Sequence, residues 1–210
     1  MRSQLGQKWL LLIGVLCLLA VPPADAANDF SKPVEYAPLQ VQNIEPDIVS
    51  LELLAKGLSV VYYLEFFERN LDSIPGNGSS SFRKKTGKPI FELNHQFGKE
   101  EIFDSGTNRG VAMRMLGYLV IKEEGLYQLQ ALSNDGVKVM LSGETVISDP
   151  EQHSDRLSNI GNVTIDKAGH YPLQVEYFQR KGTAALKLFW KTPGSENFVP
   201  IPANAYVHLP

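Results

Sequence analysis

Cysteine is nearly absent from this chain: Cys17 is the single one among 210 residues. A lone thiol closes no intramolecular disulfide, so apolar burial has to hold the fold. Histidine is scarce as well, and His95, His153, His170 and His208 stand far apart without zinc-ligand spacing. There is no Gly-x-Ser-x-Gly elbow, and Gly87-Lys88 runs into Pro89 with no phosphate-loop spacing before it. Glu123-Glu124 precede a glycine and read as a turn, not as a carboxylate pair for hydrolysis. These gaps leave no nucleophile and no acid–base pair, so an enzyme is not expected. Positive charge is not in excess either. Against 23 acidic residues stand 20 basic ones, a net charge of −3, which speaks against nucleic acid as the main partner.

The long apolar run, Trp9 to Val21, is shorter than the roughly 18 residues that a membrane-crossing helix needs. With Arg2 and Lys8 before it and Ala24-Asp25-Ala26 after it, the run has the form of a signal peptide over residues 1–26. Cleavage there would remove Cys17, Arg2, Lys8 and Asp25, leaving 18 basic and 22 acidic residues and a net charge of −4. The expected product is periplasmic or secreted and does not span a membrane. Residues 27–54, with several prolines and no period, are expected as an extended lead-in.

From residue 55 to 210 the pattern is that of one all-β domain. Gly125-Leu-Tyr-Gln-Leu-Gln-Ala-Leu-Ser133 places Tyr127, Leu129 and Ala131 on one face, and Val137, Val139 and Leu141 alternate likewise after Asn134-Asp135-Gly136. Alternation on both sides of Asp-Gly predicts a hairpin. Further strands are expected over 58–66, 89–93, 110–122, 144–148, 162–166, 170–178 and 184–190, with turns at Ser142-Gly143 and Ala168-Gly169. Many short strands with almost no helical period point to an antiparallel sandwich or barrel. The aromatics Tyr62, Tyr63, Phe66, Phe67, Tyr118, Tyr127, Tyr177 and Trp190 are expected in the core. A sugar-stacking role is reserved for those left exposed.

The ordered set of strands and turns resembles the PA14 domain, a β-sandwich module of a bacterial toxin, glycosidases and yeast adhesins. Carrying the resemblance are Gly57-Leu58 with Tyr62-Tyr63, Gly117-Tyr-Leu-Val followed by Gly125-Leu-Tyr-Gln-Leu, and the Ser133-Asn-Asp-Gly-Val137 turn. Gly169-His-Tyr-Pro-Leu, Glu176-Tyr177-Phe178 and Trp190 complete it. The resemblance implies an antiparallel β-sandwich of PA14 type that serves as a non-catalytic binding module, often for carbohydrate. In the sugar-binding adhesins two consecutive aspartates joined by a cis peptide hold a Ca²⁺ that ligates sugar hydroxyls, helped by a second loop.

The paired positions are here Asn134 and Asp135, and the second loop is Gln179-Arg180-Lys181-Gly182. The implied ligand-binding residues are therefore Asn134, Asp135, Gln179, Arg180 and Lys181, with Asn134, Asp135 and Gln179 as a weak Ca²⁺ site. Weakness follows from charge count, because one carboxylate stands where the adhesins have two. Arg180 and Lys181 would repel a metal but suit an anionic sugar. The reading from residue chemistry alone is a tight turn at Asn134-Asp135-Gly136. Asp149, Glu151, His153 and Asp155 share one polar loop, expected to be solvated, and Arg83-Lys-Lys-Thr-Gly-Lys88 reads as a second exposed loop. Two partners stay open: a carbohydrate or cell-envelope glycan, or an envelope protein that docks on the sandwich.

Overall fold

A computed structural model describes residues 36–75 and 83–210. The expected leader lies outside the described residues. Strands appear in chain order as β1 (Leu39–Val41), β2 (Ala55–Lys56), β3 (Ser59–Tyr63), β4 (Lys84–Thr86), β5 (Asn94–Phe97), β6 (Val111–Ile121), β7 (Gly125–Asn134) and β8 (Val137–Leu141). There follow β9 (Glu144–Asp149), β10 (Arg156–Leu157), β11 (Gly161–Ile165), β12 (Gly169–Gln179), β13 (Ala184–Lys191), β14 (Val199–Pro200) and β15 (Tyr206–His208). Helical structure among the described residues is confined to three single 3₁₀ turns. None is long and apolar enough to cross a membrane.

The strands form two sheets. One has the order β1-β11-β7-β13-β14, with β10 also on β7 and β5 on β13. The other runs β2-β15-β6-β12-β8-β9, with β3 on β6 and β4 on β3. Every pairing is antiparallel except β1 with β11. Period-2 alternation explains the arrangement: Tyr127, Leu129 and Ala131 of β7 and Leu186 and Leu188 of β13 are buried, as are Tyr171, Leu173, Val175 and Tyr177 of β12. Facing apolar surfaces of the two sheets make one core, which Val41 and Ile44 from the expected lead-in also enter.

The Asn134-Asp135-Gly136 hairpin does not form. β7 pairs with β10, β11 and β13, whereas β8 pairs with β12 and β9 in the opposite sheet, so the turn is a corner between layers. Two alternating segments can put their apolar faces on one sheet surface, or can cover each other across a sandwich. The second solution buries both at once. Gly136 is needed for space and not for a left-handed conformation: a Cβ there would sit 2.6 Å from the Pro150 carbonyl oxygen and 2.7 Å from the Phe178 ring. Glu123-Glu124 likewise joins strands of different sheets, β6 and β7. Ser142-Gly143 does close a two-residue hairpin, β8–β9, with φ of 48° and 85°.

Three further expectations shift. Ile90 makes only an isolated bridge to Leu58, and the ladder lies one step on, as β5 against β13. The strand expected over 58–66 ends at Tyr63. Beyond it, Phe67, Leu71 and Ile74 pack with Tyr63, Ala112 and Phe178 in a second, smaller cluster. That cluster covers part of the outer surface of the β3–β6–β12 sheet, and it carries Arg69 and Asn70 to one end of the sandwich. Arg83 to Lys88 is not a plain loop, because its centre forms β4 on the edge of β3.

Candidate functional site

The corner between β7 and β8 forms one wall of a cleft of about 660 Å³. Asn134 and Asp135 share it with Arg69 and Asn70 from the outer segment, Glu151 and His153 from the loop after β9, and Lys181 and Thr183 from the loop between β12 and β13. These segments are stitched together by main-chain bonds. Leu71 N–H donates to the Pro150 carbonyl at 2.9 Å, and Gln152 N–H donates to Arg69 O at 3.0 Å. β10 pairs with the end of β7 and so brings Asp155 beside Asn134.

Asp135 is buried, and its Oδ2 accepts the Arg180 N–H at 2.8 Å. Burial pushes its pKa above the ordinary carboxylate value, opposed by main-chain donors of Arg180 and His153 and by their charges. The Asn134–Asp135 peptide is cis, the geometry that the resemblance implies for its paired positions. The Asn134 side-chain nitrogen donates to Asp155 Oδ1 at 2.7 Å, while its carbonyl accepts from the Tyr177 hydroxyl at 2.6 Å. Tyr177 is fully buried, and desolvation with nearby Asp135 and Asp155 holds its phenol well above the usual value.

Gln179 and Arg180 do not face the cleft. Gln179 is buried, and its amide nitrogen donates to the carbonyls of Lys181 at 2.9 Å and Thr183 at 3.0 Å. Its side chain therefore shapes the second loop from inside. The Arg180 guanidinium turns away, with Nε donating to Phe67 O at 3.2 Å. Lys181 lines the cleft, and the second cation there is Arg69, which sequence reasoning missed. The available signal was the apolar spacing of Phe67, Leu71 and Ile74, which marks a covering segment and not a free loop.

The polar loop expected to be solvated is anchored by an ion-pair network. Asp149 is buried; Arg156 grips both of its oxygens, and His153 Nε2 lies 3.1 Å from Oδ2. Burial alone would raise the Asp149 pKa, but the bonds and charges of His153 and Arg156 win and lower it to about 2. Tyr36 adds a hydroxyl at 3.3 Å and lies under the Arg156 guanidinium. This network fixes His153 while its own main chain reaches Asp135.

For a metal, the pair offers one carboxylate, one side-chain amide and neighbouring neutral oxygens. Among the described residues no group of three or more His, Cys, Asp or Glu is placed to hold an ion. Ca²⁺ asks for six to eight oxygens and gains affinity from ligand charge, so this donor set fits it only loosely. The cleft is better equipped for a polyhydroxylated ligand. It presents carboxylate and carbonyl acceptors beside ammonium, guanidinium, amide and hydroxyl donors, in a recess walled by four segments.

The model of the PA14 domain family matches residues 59–203. Similar solved structures include an anti-sigma factor domain-containing protein, 18% identical with a TM-score of 0.58, over 72% of this chain and 47% of that one. This chain thus spans about half the length of that protein. The PA14 domain of the antifreeze protein MpAFP is 15% identical with a TM-score of 0.58, covering 78% and 96% of the two chains. The A domain of Epithelial Adhesin 6 from Candida glabrata, solved in complex with Galβ1-3GlcNAc, is 15% identical with a TM-score of 0.59, covering 81% and 92%. No curated protein matches the chain in sequence.

Proposed function

The chain belongs to the PA14 domain family, and from that premise we propose that it is an exported, non-catalytic module that binds carbohydrate, a glycan of the cell envelope, in the end cleft. The observation that carries this reading is the clustering of Asp135, Asn134, Arg69, Lys181 and Thr183 around one recess of about 660 Å³. A sugar ring needs donors and acceptors in alternation, and this wall supplies both. The relatives solved with sugars support the same class of ligand: the A domain of Epithelial Adhesin 9 from Candida glabrata was also solved with Galβ1-3GlcNAc.

In this reading Asp135, held by the Arg180 and His153 main chain, accepts ligand hydroxyls. Lys181 and Arg69 contribute charge-assisted donors from the two flanking loops. Asn134 and Asp135 form at most a weak Ca²⁺ site, with a dissociation constant no tighter than about 10⁻⁴ M. A glycan array run with the wild type and Asp135→Ala, each with and without chelator, tests the proposal. Specific signals that disappear in Asp135→Ala are the expected result. Absence of signal across an array of envelope and mucosal glycans would remove the reading.

A second reading, docking to an envelope protein, draws on a different surface. Ile48, Leu51 and Leu53 are exposed by 104%, 67% and 62%. Their replacement by serine would abolish co-purification of such a partner while leaving glycan signals intact.

A further inference from the structure

Trp190 was expected in the core, but it lies half-buried at the end of the sandwich opposite the cleft. β7 begins there and reaches the cleft ten residues later, a strand length of about 30 Å. Trp190 follows Leu186 and Leu188 on the inward face of β13, so its ring closes the core while one part meets solvent. Tyr127 packs beside it, ring centroids 5.9 Å apart and tilted by 52°, with its hydroxyl donating to Glu123 O at 3.1 Å.

Around this pair is a recess of about 260 Å³. Pro202 extends the apolar wall, while exposed Lys122, Glu123 and Asn204 stand on the rim. The combination is specific in its chemistry. The part of the Trp190 ring left open, backed by buried Tyr127, accepts the C–H face of a ring, and the rim offers cation, anion and amide to equatorial hydroxyls. Lys122 and Glu123 cancel in charge, which favours a neutral ligand over an acidic one. The volume suits one six-membered ring and not a peptide helix or strand.

We infer that the Trp190–Tyr127 recess is a second binding site, for a neutral pyranose, at the end of the sandwich remote from Asn134-Asp135. It does not depend on the sugar-binding reading of the end cleft. Two sites at opposite ends would let one molecule bridge two glycan chains, or two points on one, with the gain in avidity that linkage brings.

Intrinsic fluorescence tests the inference, because the chain has two tryptophans, Trp9 and Trp190. In the full chain carrying Trp9→Phe, emission reports Trp190 alone. The probes are D-galactose, D-glucose and N-acetyl-D-glucosamine, with acyclic sorbitol as control. At least one pyranose is expected to give a saturable emission change that sorbitol does not. Asn204→Ala, an exposed substitution, should weaken that binding about fivefold, the loss of one hydrogen bond. Asp135→Ala should leave it unchanged, which separates this site from the end cleft. No emission change with any pyranose, an unaltered affinity in Asn204→Ala, or loss of the signal in Asp135→Ala would each overturn the inference.

Discussion

At the scale of single residues, the end cleft depends on contacts that no side-chain chemistry in the loop announces. Gly136 allows Pro150 and Phe178 to approach the corner, and a methyl group there would meet both within 2.7 Å. Gly136→Ala should cost about 1–3 kcal/mol through overpacking. Because Pro150 starts the loop that bears His153, ligand binding should fall with it. Denaturant melts beside array binding check the two effects together. Tyr177→Phe removes the hydroxyl that satisfies the buried Asn134 carbonyl. A loss of about 1–3 kcal/mol is expected from leaving that oxygen unpaired, measured by the same melts, and a neutral result would show that the bond contributes nothing.

Legibility at this scale was uneven. Asn134, Asp135 and Lys181 could be named from the resemblance, and all three line the cleft. Gln179 and Arg180 could not be oriented, since neighbours on a strand end point to opposite sides and only the packing of Phe67 against β12 decides which way each turns. Arg69 was missed because the spacing of Phe67, Leu71 and Ile74 marks a covering segment but not the end it covers, which contacts far away in sequence decide.

At the scale of elements, alternation identified β6, β7, β8, β12 and β13 because each has one face in the core. Pairing partners were harder to read. An Asp-Gly between two alternating segments is consistent with a hairpin and with a corner between sheets, and local sequence does not separate them. β1, β4 and β10 are short, at edges or over other strands, and bury too little to leave a periodic trace. The loop from Asp149 to Asp155 was read as solvated from its composition, yet its anchor is a buried ion pair.

That anchor predicts an acid response of the loop. Asp149 is depressed in the folded state to about 2, below the roughly 3.9 of an unfolded aspartate. The stabilisation it gives is therefore fully present above the unfolded value and is lost as pH falls through that window towards the folded one. Asp149→Ala should cost about 3 kcal/mol near neutral pH, the low end for a broken buried pair because Arg156 can reach water. Its melting temperature should also change less than that of the wild type on acidification between about pH 4 and 2. An equal acid slope in both proteins would show that the pair is not what holds the loop.

At the scale of the whole molecule, two sheets close on a single core and leave their two ends to loops. One end gathers charged and amide groups from four segments that converge only through folding. The other end leaves part of Trp190 exposed, backed by buried Tyr127, within a neutral rim. Binding chemistry is thereby placed on loops while the strands keep them in register, an arrangement that tolerates change at the ends without disturbing the core. For Ca²⁺, isothermal titration should give a dissociation constant no tighter than about 10⁻⁴ M, and nanomolar affinity would mean that more oxygens converge on the pair than its donor set supplies.

The most direct measurement is amide chemical-shift mapping with the strongest array glycan. The amides of residues 69–70, 134–136, 151–154 and 181–183 are predicted to move together and saturably, with the shifts lost in Asp135→Ala. Shifts confined to the sheet faces or to the Ile48–Leu53 surface, with those four segments unmoved, would contradict the assignment of the cleft.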